Sequence, residues 1–434
     1  ELGADDHDVR QRSRSGARHA VLQRLTALRI AELGETLGVG AGRGIAPGLR
    51  IVEQVPVLEG ELEADVDGER LGEDAQAALA IVAIEDEAEK FHAVGIVDAE
   101  TGLPVKKSAA SWTSVFANEL VEIGRERKDI VAITAAMLGP TGLDKFQKEF
   151  PTRTIDVGIA EQHAVTSAAG LAFAGLHPVV AVYATFLNRA FDQMLLDVAL
   201  HKAGVTFVLD RAGITGDDGP SHNGIWDLAL TGIVPTLQVA APRDGARVKE
   251  TLREALQVKD APTLIRFPKG AVVADIPAFE RRDGVDVLYR GESADVLLVS
   301  IGAMAHMAVE AASQAYREGV GVTVIDPRWV KPLPESLVTM AQRYKSVVVL
   351  EDGIRHGGIA STVSELFRDS GLQVPIHSIG VPLEFLEHSK RDEVLQDLGI
   401  TAQNITRSIV EWSSSLKEGM QFPVDENASR SQLR

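Results

Sequence analysis

The pattern of apolar and polar positions changes near residue 111. From there to about residue 270, short β-branched runs alternate with amphipathic stretches. The runs 130–136, 179–183, 205–209, 236–240 and 263–266 read as buried strands. Residues 112–126 set Val115, Phe116, Leu120, Val121 and Ile123 on one helical face, and 143–150, 190–203 and 244–257 read as further helices. Between them, 155–170 is a short strand that turns at Gly158 into a helix of small residues, Ala164, Ala168, Ala169 and Gly170. Such alternation predicts an α/β fold, a parallel sheet covered by helices. A second, smaller α/β unit follows, with strands at 296–300, 322–326, 346–351 and 374–379 and helices at 305–318, 335–344 and 357–369.

The flanks are different. Residues 1–84 show no lasting alternation: a helix is expected around 19–33, 38–48 is glycine-rich and 53–74 is acidic. The organisation expected is an unrecognised segment at 1–84, disordered or mis-framed, and a polar connector at 85–110. The first α/β domain covers 111–275, a charged linker 276–293, the second domain 294–411 and a loose tail 412–434.

Composition narrows the chemistry. A chain of 434 residues has room for two or three domains. The net charge of −18 argues against nucleic acid or anionic membrane as partner. The absence of cysteine excludes disulfides, thiolate–metal sites and a cysteine nucleophile, and a cytoplasmic location is expected. The uncharged run 164–188 is long enough to raise the question of a membrane span. Gly175-Leu-His-Pro178 divides it into a helix and a strand, and no span is expected.

Candidate chemistry sits at strand ends. Glu161 opens the small-residue helix, either as first-turn electrostatics or as a partly buried carboxyl able to share a proton with a ring nitrogen. Tyr183-Ala-Thr-Phe-Leu-Asn-Arg189 brings Tyr183, Phe186 and Arg189 to the end of another strand. Asp210-Arg-Ala-Gly-Ile-Thr-Gly-Asp-Asp-Gly-Pro-Ser-His222 opens into a glycine-rich loop with Arg211, Asp217, Asp218 and His222. Arg266-Phe-Pro-Lys-Gly270 adds two cations, and Glu351-Asp-Gly-Ile-Arg-His-Gly-Gly358 is a strand–loop–helix turn. Each alone has a structural explanation, such as a solvated or paired cation, a loop-capping histidine or a tight turn. Their convergence matters, because strand ends of a parallel sheet point to one rim.

Taken together, residues 86–410 resemble the 1-deoxy-D-xylulose-5-phosphate synthases of the transketolase superfamily. The resemblance rests on 156–170, on Tyr183–Arg189 with the following Phe-Asp-Gln-Met, on 210–222 continuing into Asn-Gly-Ile-Trp-Asp-Leu, and on Arg266-Phe-Pro-Lys-Gly. It implies a transketolase-like pyrimidine-binding domain followed by a transketolase C-terminal domain, with Phe91-His-Ala-Val-Gly95 matching the interdomain connector.

The resemblance implies thiamine diphosphate as cofactor, with Mg²⁺. The implied roles are Glu161 for protonating the pyrimidine nitrogen, Phe186 for stacking on that ring and Tyr183 for lining the substrate side. The implied reaction decarboxylates pyruvate and joins its two-carbon fragment to glyceraldehyde 3-phosphate. Arg211 and Lys269 are the phosphate cations, Arg189 a further substrate contact, and Asp218 and His222 hold and protonate the acceptor; a homodimer is implied. Lys269 stands where the family often has arginine, so phosphate contact there is less directional. No metal ligand is assigned, because the family's Gly-Asp-Gly and downstream Asn are not found in 1–84. A truncated or mis-framed gene, or a fusion, is expected to look this way, and such a chain is expected not to turn over alone. The rival readings are a β-subunit-like relative of the 2-oxoacid dehydrogenases working with a partner chain, and a non-catalytic remnant.

Overall fold

The computed structural model describes residues 110–417. The expectations for 1–84, for the connector with Phe91–Gly95 and for 418–434 lie outside the described residues.

The first sheet is built from β1 (Ile130–Thr134), β2 (Thr154–Asp156), β3 (His177–Tyr183), β4 (Thr206–Asp210), β5 (Gln238–Ala240) and β6 (Thr263–Arg266). These strands pair in parallel in the order β5-β6-β4-β3-β1-β2. The central strands are fully buried, which explains their continuous Val and Ile content. The helix Trp112–Glu126 is fixed at its start by a capping box, in which the Ser111 hydroxyl accepts from the Ser114 N–H at 3.0 Å and the Ser114 hydroxyl accepts from the Ser111 N–H at 2.9 Å.

The second sheet comprises β7 (Glu280–Arg282), β8 (Val285–Tyr289), β9 (Val296–Ser300), β10 (Val322–Asp326), β12 (Ser346–Ile354) and β13 (Ile376–Val381), in the order β13-β12-β9-β10-β8-β7. Its four core strands are parallel, while β8 and β7 extend it antiparallel.

Four features depart from the sequence expectation. The stretch assigned to a linker contains the hairpin β7–β8. Asp283 and Gly284 make its turn, both at positive φ (47° and 88°) as a two-residue type I′ connection requires. The expected continuous helix over 190–203 is interrupted, with Met194–Ala199 forming a π-helix whose wider turn is seen in the Leu200 N–H donating to Leu195 O at 3.1 Å. The start of the expected tail at 412 is not loose, because Ala402–Lys417 is one helix, amphipathic enough to bury Ile405, Ile409 and Ser413. Finally, β11 (Trp329–Lys331) leaves the second unit and pairs antiparallel with β5, becoming the seventh strand of the first sheet. Lys331 Nζ fastens it there by donating to the carbonyls of Thr231 and Gly232, each at 2.8 Å.

The uncharged run 164–188 is a helix followed by β3, and no helix among the described residues is long and apolar enough to cross a membrane.

Candidate active site

The carboxyl ends of β2, β3, β4 and β6 lie along one rim, and each carries a candidate residue. After β2 the chain turns at Gly158 (φ 69°) and enters the helix Glu161–Phe173. Ala164, Ala168 and Ala169 bury one side of this helix, so its first turn is held close against the sheet. Glu161 is thereby 5% exposed, yet it lines a cavity of about 570 Å³ together with Ile159, Gln162, His163, Arg189 and Gln193. Its carboxylate accepts from Arg189 Nη1 at 3.2 Å, and that arginine is half exposed.

Beyond β3, Tyr183 and Phe186 stack nearly parallel, with centroids 5.8 Å apart and an interplanar angle of 10°. Arg189 lies over the Phe186 ring at 5.0 Å, and the His222 ring meets its edge at 5.6 Å. On the other side, the Arg211 guanidinium lies 3.9 Å over the centre of the Tyr183 ring, a cation–π arrangement. Arg211 takes a positive φ of 59°, and its guanidinium also faces Asp210 at 3.3 Å and Asp218 at 3.6 Å. Asp210 is buried at the end of β4, which pushes its carboxyl up to about 6, while Arg211 and a 2.5 Å hydrogen bond from Thr113 pull the other way.

Lys269 reaches the same cluster from beyond β6. Its ammonium donates to Asp218 at 2.6 Å and to Asp217 at 2.9 Å. Burial acts to lower the Lys269 ammonium, but these two carboxylates outweigh it and hold it above its ordinary value. Asp217 is held below the usual carboxylate range by the same contact.

All eight singled-out residues therefore join one connected series, running Glu161, Arg189, Phe186, with His222 at its edge, Tyr183, Arg211, Asp218 and Lys269. Arg211 and Lys269 meet at Asp218, which acts as their common counter-ion. Arg266 is the exception among the strand-end cations. It is buried, with Nε 2.6 Å from Asp227 and Nη1 2.7 Å from Asp352, so it belongs to the scaffold. Sequence reading gave no role to Thr113, Gln193 or Asp352. Thr113 comes from the first helix, where no local motif marks it, while Gln193 and Asp352 lie inside the stretches Phe-Asp-Gln-Met and Glu351–Gly358.

The arrangement suits a flat nitrogen heterocycle beside a buried carboxyl and an anionic partner near Arg211 and Lys269. Among the described residues, no group of three or more His, Asp or Glu side chains is placed to hold a metal ion.

Residues 108–273 match the model of the transketolase pyrimidine-binding domain, and 286–405 match that of the transketolase C-terminal domain. The chain is 57% identical over 335 residues to the 1-deoxy-D-xylulose-5-phosphate synthase of Mycobacteroides abscessus, covering 76% of this chain and 52% of that protein. It is 56% identical over 346 residues to 1-deoxy-D-xylulose-5-phosphate synthase 2 of Streptomyces avermitilis, covering 79% and 54%. It thus spans about half the length of the curated relatives it matches. Among solved structures, a split-gene transketolase described as an inactive β4 tetramer superposes with a TM-score of 0.64 at 30% identity, covering 71% of this chain and all of that one. A transketolase from Leishmania mexicana shares the fold, with a TM-score of 0.60 at 19% identity.

Proposed function

Because the chain belongs to the transketolase family, we propose that it supplies the pyrimidine-activating and acceptor-binding half of a thiamine-diphosphate-dependent 1-deoxy-D-xylulose-5-phosphate synthase. The observation that carries this reading is the buried Glu161 carboxyl at a cavity, linked through stacked aromatic rings to the Arg211–Asp218–Lys269 cluster.

When bound, thiamine diphosphate supplies the electron sink for decarboxylating a 2-oxo acid, here pyruvate. Glu161 holds a proton at the pyrimidine nitrogen, Phe186 offers its face to that ring, and the small-residue helix behind Glu161 keeps water from its buried side. Arg211 and Lys269 receive the phosphate of glyceraldehyde 3-phosphate. A planar guanidinium takes phosphate in the same forked way as carboxylate, so the acceptor competes with Asp218 for Arg211. His222, against the Phe186 edge, faces the acceptor's oxygens and moves a proton there, with Asp218 beside it.

Mg²⁺ and the cofactor's diphosphate are held outside residues 110–417. The split-gene transketolase supports an arrangement in which a second chain provides that half. The exposed Ile159, Phe173, Leu196 and Leu200, on elements bordering the Glu161 cavity, support self-association into a homodimer.

The test is to supply pyruvate, glyceraldehyde 3-phosphate, thiamine diphosphate and Mg²⁺ to the purified chain, with and without the diphosphate-binding half of a relative. Deoxyxylulose phosphate is expected only with that half present. Transfer to lipoamide in preference to glyceraldehyde 3-phosphate would move the chain to the dehydrogenase β-subunits instead.

A further inference from the structure

The loop that carries Asp217, Asp218 and His222 is gripped by the second α/β unit. Gly213 lies at φ +72° against Asp352, where any β-carbon would collide with the carboxylate. The Arg391 guanidinium donates to the carbonyl of Ile214, and a β-carbon on Gly216 would run into the Arg391 backbone. His388 Nε2 is hydrogen-bonded to the Asp217 carbonyl at 3.0 Å, and the Ile354 N–H donates to Ile225 O at 3.0 Å.

Asp352 ties these contacts to the first sheet. One of its oxygens accepts from Arg266 at 2.7 Å, and the other lies 3.9 Å from Arg391. Arg266 is also paired with Asp227, so two acids and two guanidiniums balance in a largely buried group. The same strand end places both anchors of the acceptor cluster. The Phe267 carbonyl, next to Arg266, accepts from the Ala212 N–H at 3.0 Å, and Lys269 follows two residues later.

We propose that Asp352 and Arg391, from the C-terminal domain, are positioning residues for the acceptor site. They act through Gly213–Asp218, setting where Asp218 and His222 stand relative to Arg211 and Lys269. Neither residue lines the Glu161 cavity. Their influence should therefore fall on the acceptor and spare the cofactor's pyrimidine. Removing either charge leaves its buried partners uncompensated, and the loop is the part free to shift. The assignment of this loop to an acceptor rests on the functional reading above.

The experiment compares the full 434-residue chain with Asp352→Asn, Arg391→Met and Arg391→Lys. Glyceraldehyde 3-phosphate and, with the diphosphate-binding half of a relative and Mg²⁺ supplied, thiamine diphosphate are titrated separately by calorimetry, and backbone hydrogen exchange is followed across 206–225. Asp352→Asn and Arg391→Met are expected to weaken glyceraldehyde 3-phosphate binding about tenfold or more, as small misplacements of site groups do, with thiamine diphosphate affinity unchanged. Arg391→Lys, which keeps the charge and a donor for Ile214 O, is expected to restore acceptor binding. The paired amides of Gly213 and Gly224 should exchange faster in the two damaging variants while β4 amides keep their protection.

Equal acceptor affinity in all variants overturns the proposal, as does uniform acceleration of exchange that includes β4, which would mark a role in global stability alone. If the unaltered chain does not bind glyceraldehyde 3-phosphate, the functional reading fails. Exchange then decides the positioning claim by itself, and an unperturbed loop in Asp352→Asn overturns it. If Asp352→Asn does not fold, the contrast between Arg391→Met and Arg391→Lys decides the proposal in the same way.

Discussion

Glu161 and Glu351 are both buried glutamates at the place where a parallel strand passes through glycine into a helix, one in each α/β unit. Their surroundings differ in what is left for a ligand. Glu351 commits one oxygen to the Ile359 N–H at 2.9 Å and the other to the Ala360 N–H at 3.1 Å, closing the start of the helix Ile359–Asp369. Burial pushes its carboxyl up to about 7, with those two donors opposing the rise. Glu161 sits at the wall of a cavity, with a half-exposed arginine as its partner. A buried acid is therefore a poor guide to chemistry by itself. A buried acid whose oxygens still face open space is a better one.

The contrast can be broken most sharply at Glu161. Assayed with the diphosphate-binding half supplied, Glu161→Gln should lose about 10²–10⁴-fold in kcat, because an amide cannot donate the required proton. Its melting temperature should stay within about 2 °C of the parent chain, since little packing changes. A matching loss of stability would make Glu161 another scaffold acid. Glu351→Ala should behave in the opposite way, orphaning two buried N–H groups. A loss of roughly 2–6 kcal/mol is expected, at about 1–3 kcal/mol for each orphaned group, read as a lower urea midpoint. An unmoved midpoint would remove the distinction.

Arg211→Ala tests the charged side of the site. Loss of a charge-assisted contact should weaken glyceraldehyde 3-phosphate binding by about 1.5–3 kcal/mol in calorimetry, and unchanged affinity would take Arg211 out of the site.

The last contrast is a pH dependence. The folded-state value of Glu351 lies above its ordinary 4.5, so its stabilising contribution is fully present below pH 4.5 and is lost as pH rises through about 7. His177, pushed down to about 4 by burial, works in the other direction, because stability is lost as pH falls below 6.5. The quantity to measure is the difference between the parent chain and Glu351→Gln. That difference should shift in favour of the variant between pH 4.5 and 7, and a flat difference would count against the raised value.

Local signals made much of this legible in the sequence. Ser111 before an apolar face marked the start of the helix Trp112–Glu126, and the Val- and Ile-rich runs marked the central strands. The convergence of Glu161, Tyr183, Arg211 and Lys269 followed from a single topological fact, that parallel strands end on one rim. The hairpin β7–β8 was legible too, in Asp283-Gly284 followed by Val285-Asp-Val287, but the charges of Glu280, Arg281 and Arg282 obscured it. What could not be read was non-local. Arg266 and Asp352 are 86 residues apart, and nothing near Arg266 shows that its partners will bury it. The strand β11 is three residues long, and its pairing with β5 is settled only once both units are in place.

That small strand has a consequence for anyone dividing or recombining the gene. Because β11 comes from beyond the second unit's first four strands, the border between the two units along the chain is not their border in space. A fragment ending near residue 275 would leave β5 with an open edge, the kind of template that promotes edge-to-edge aggregation. It would also strip Lys331 from the carbonyls of Thr231 and Gly232. Swapping the C-terminal unit for that of a relative would likewise import a foreign seam into the sheet that bears the candidate site, so a chimera's first defect should appear in solubility before it appears in chemistry.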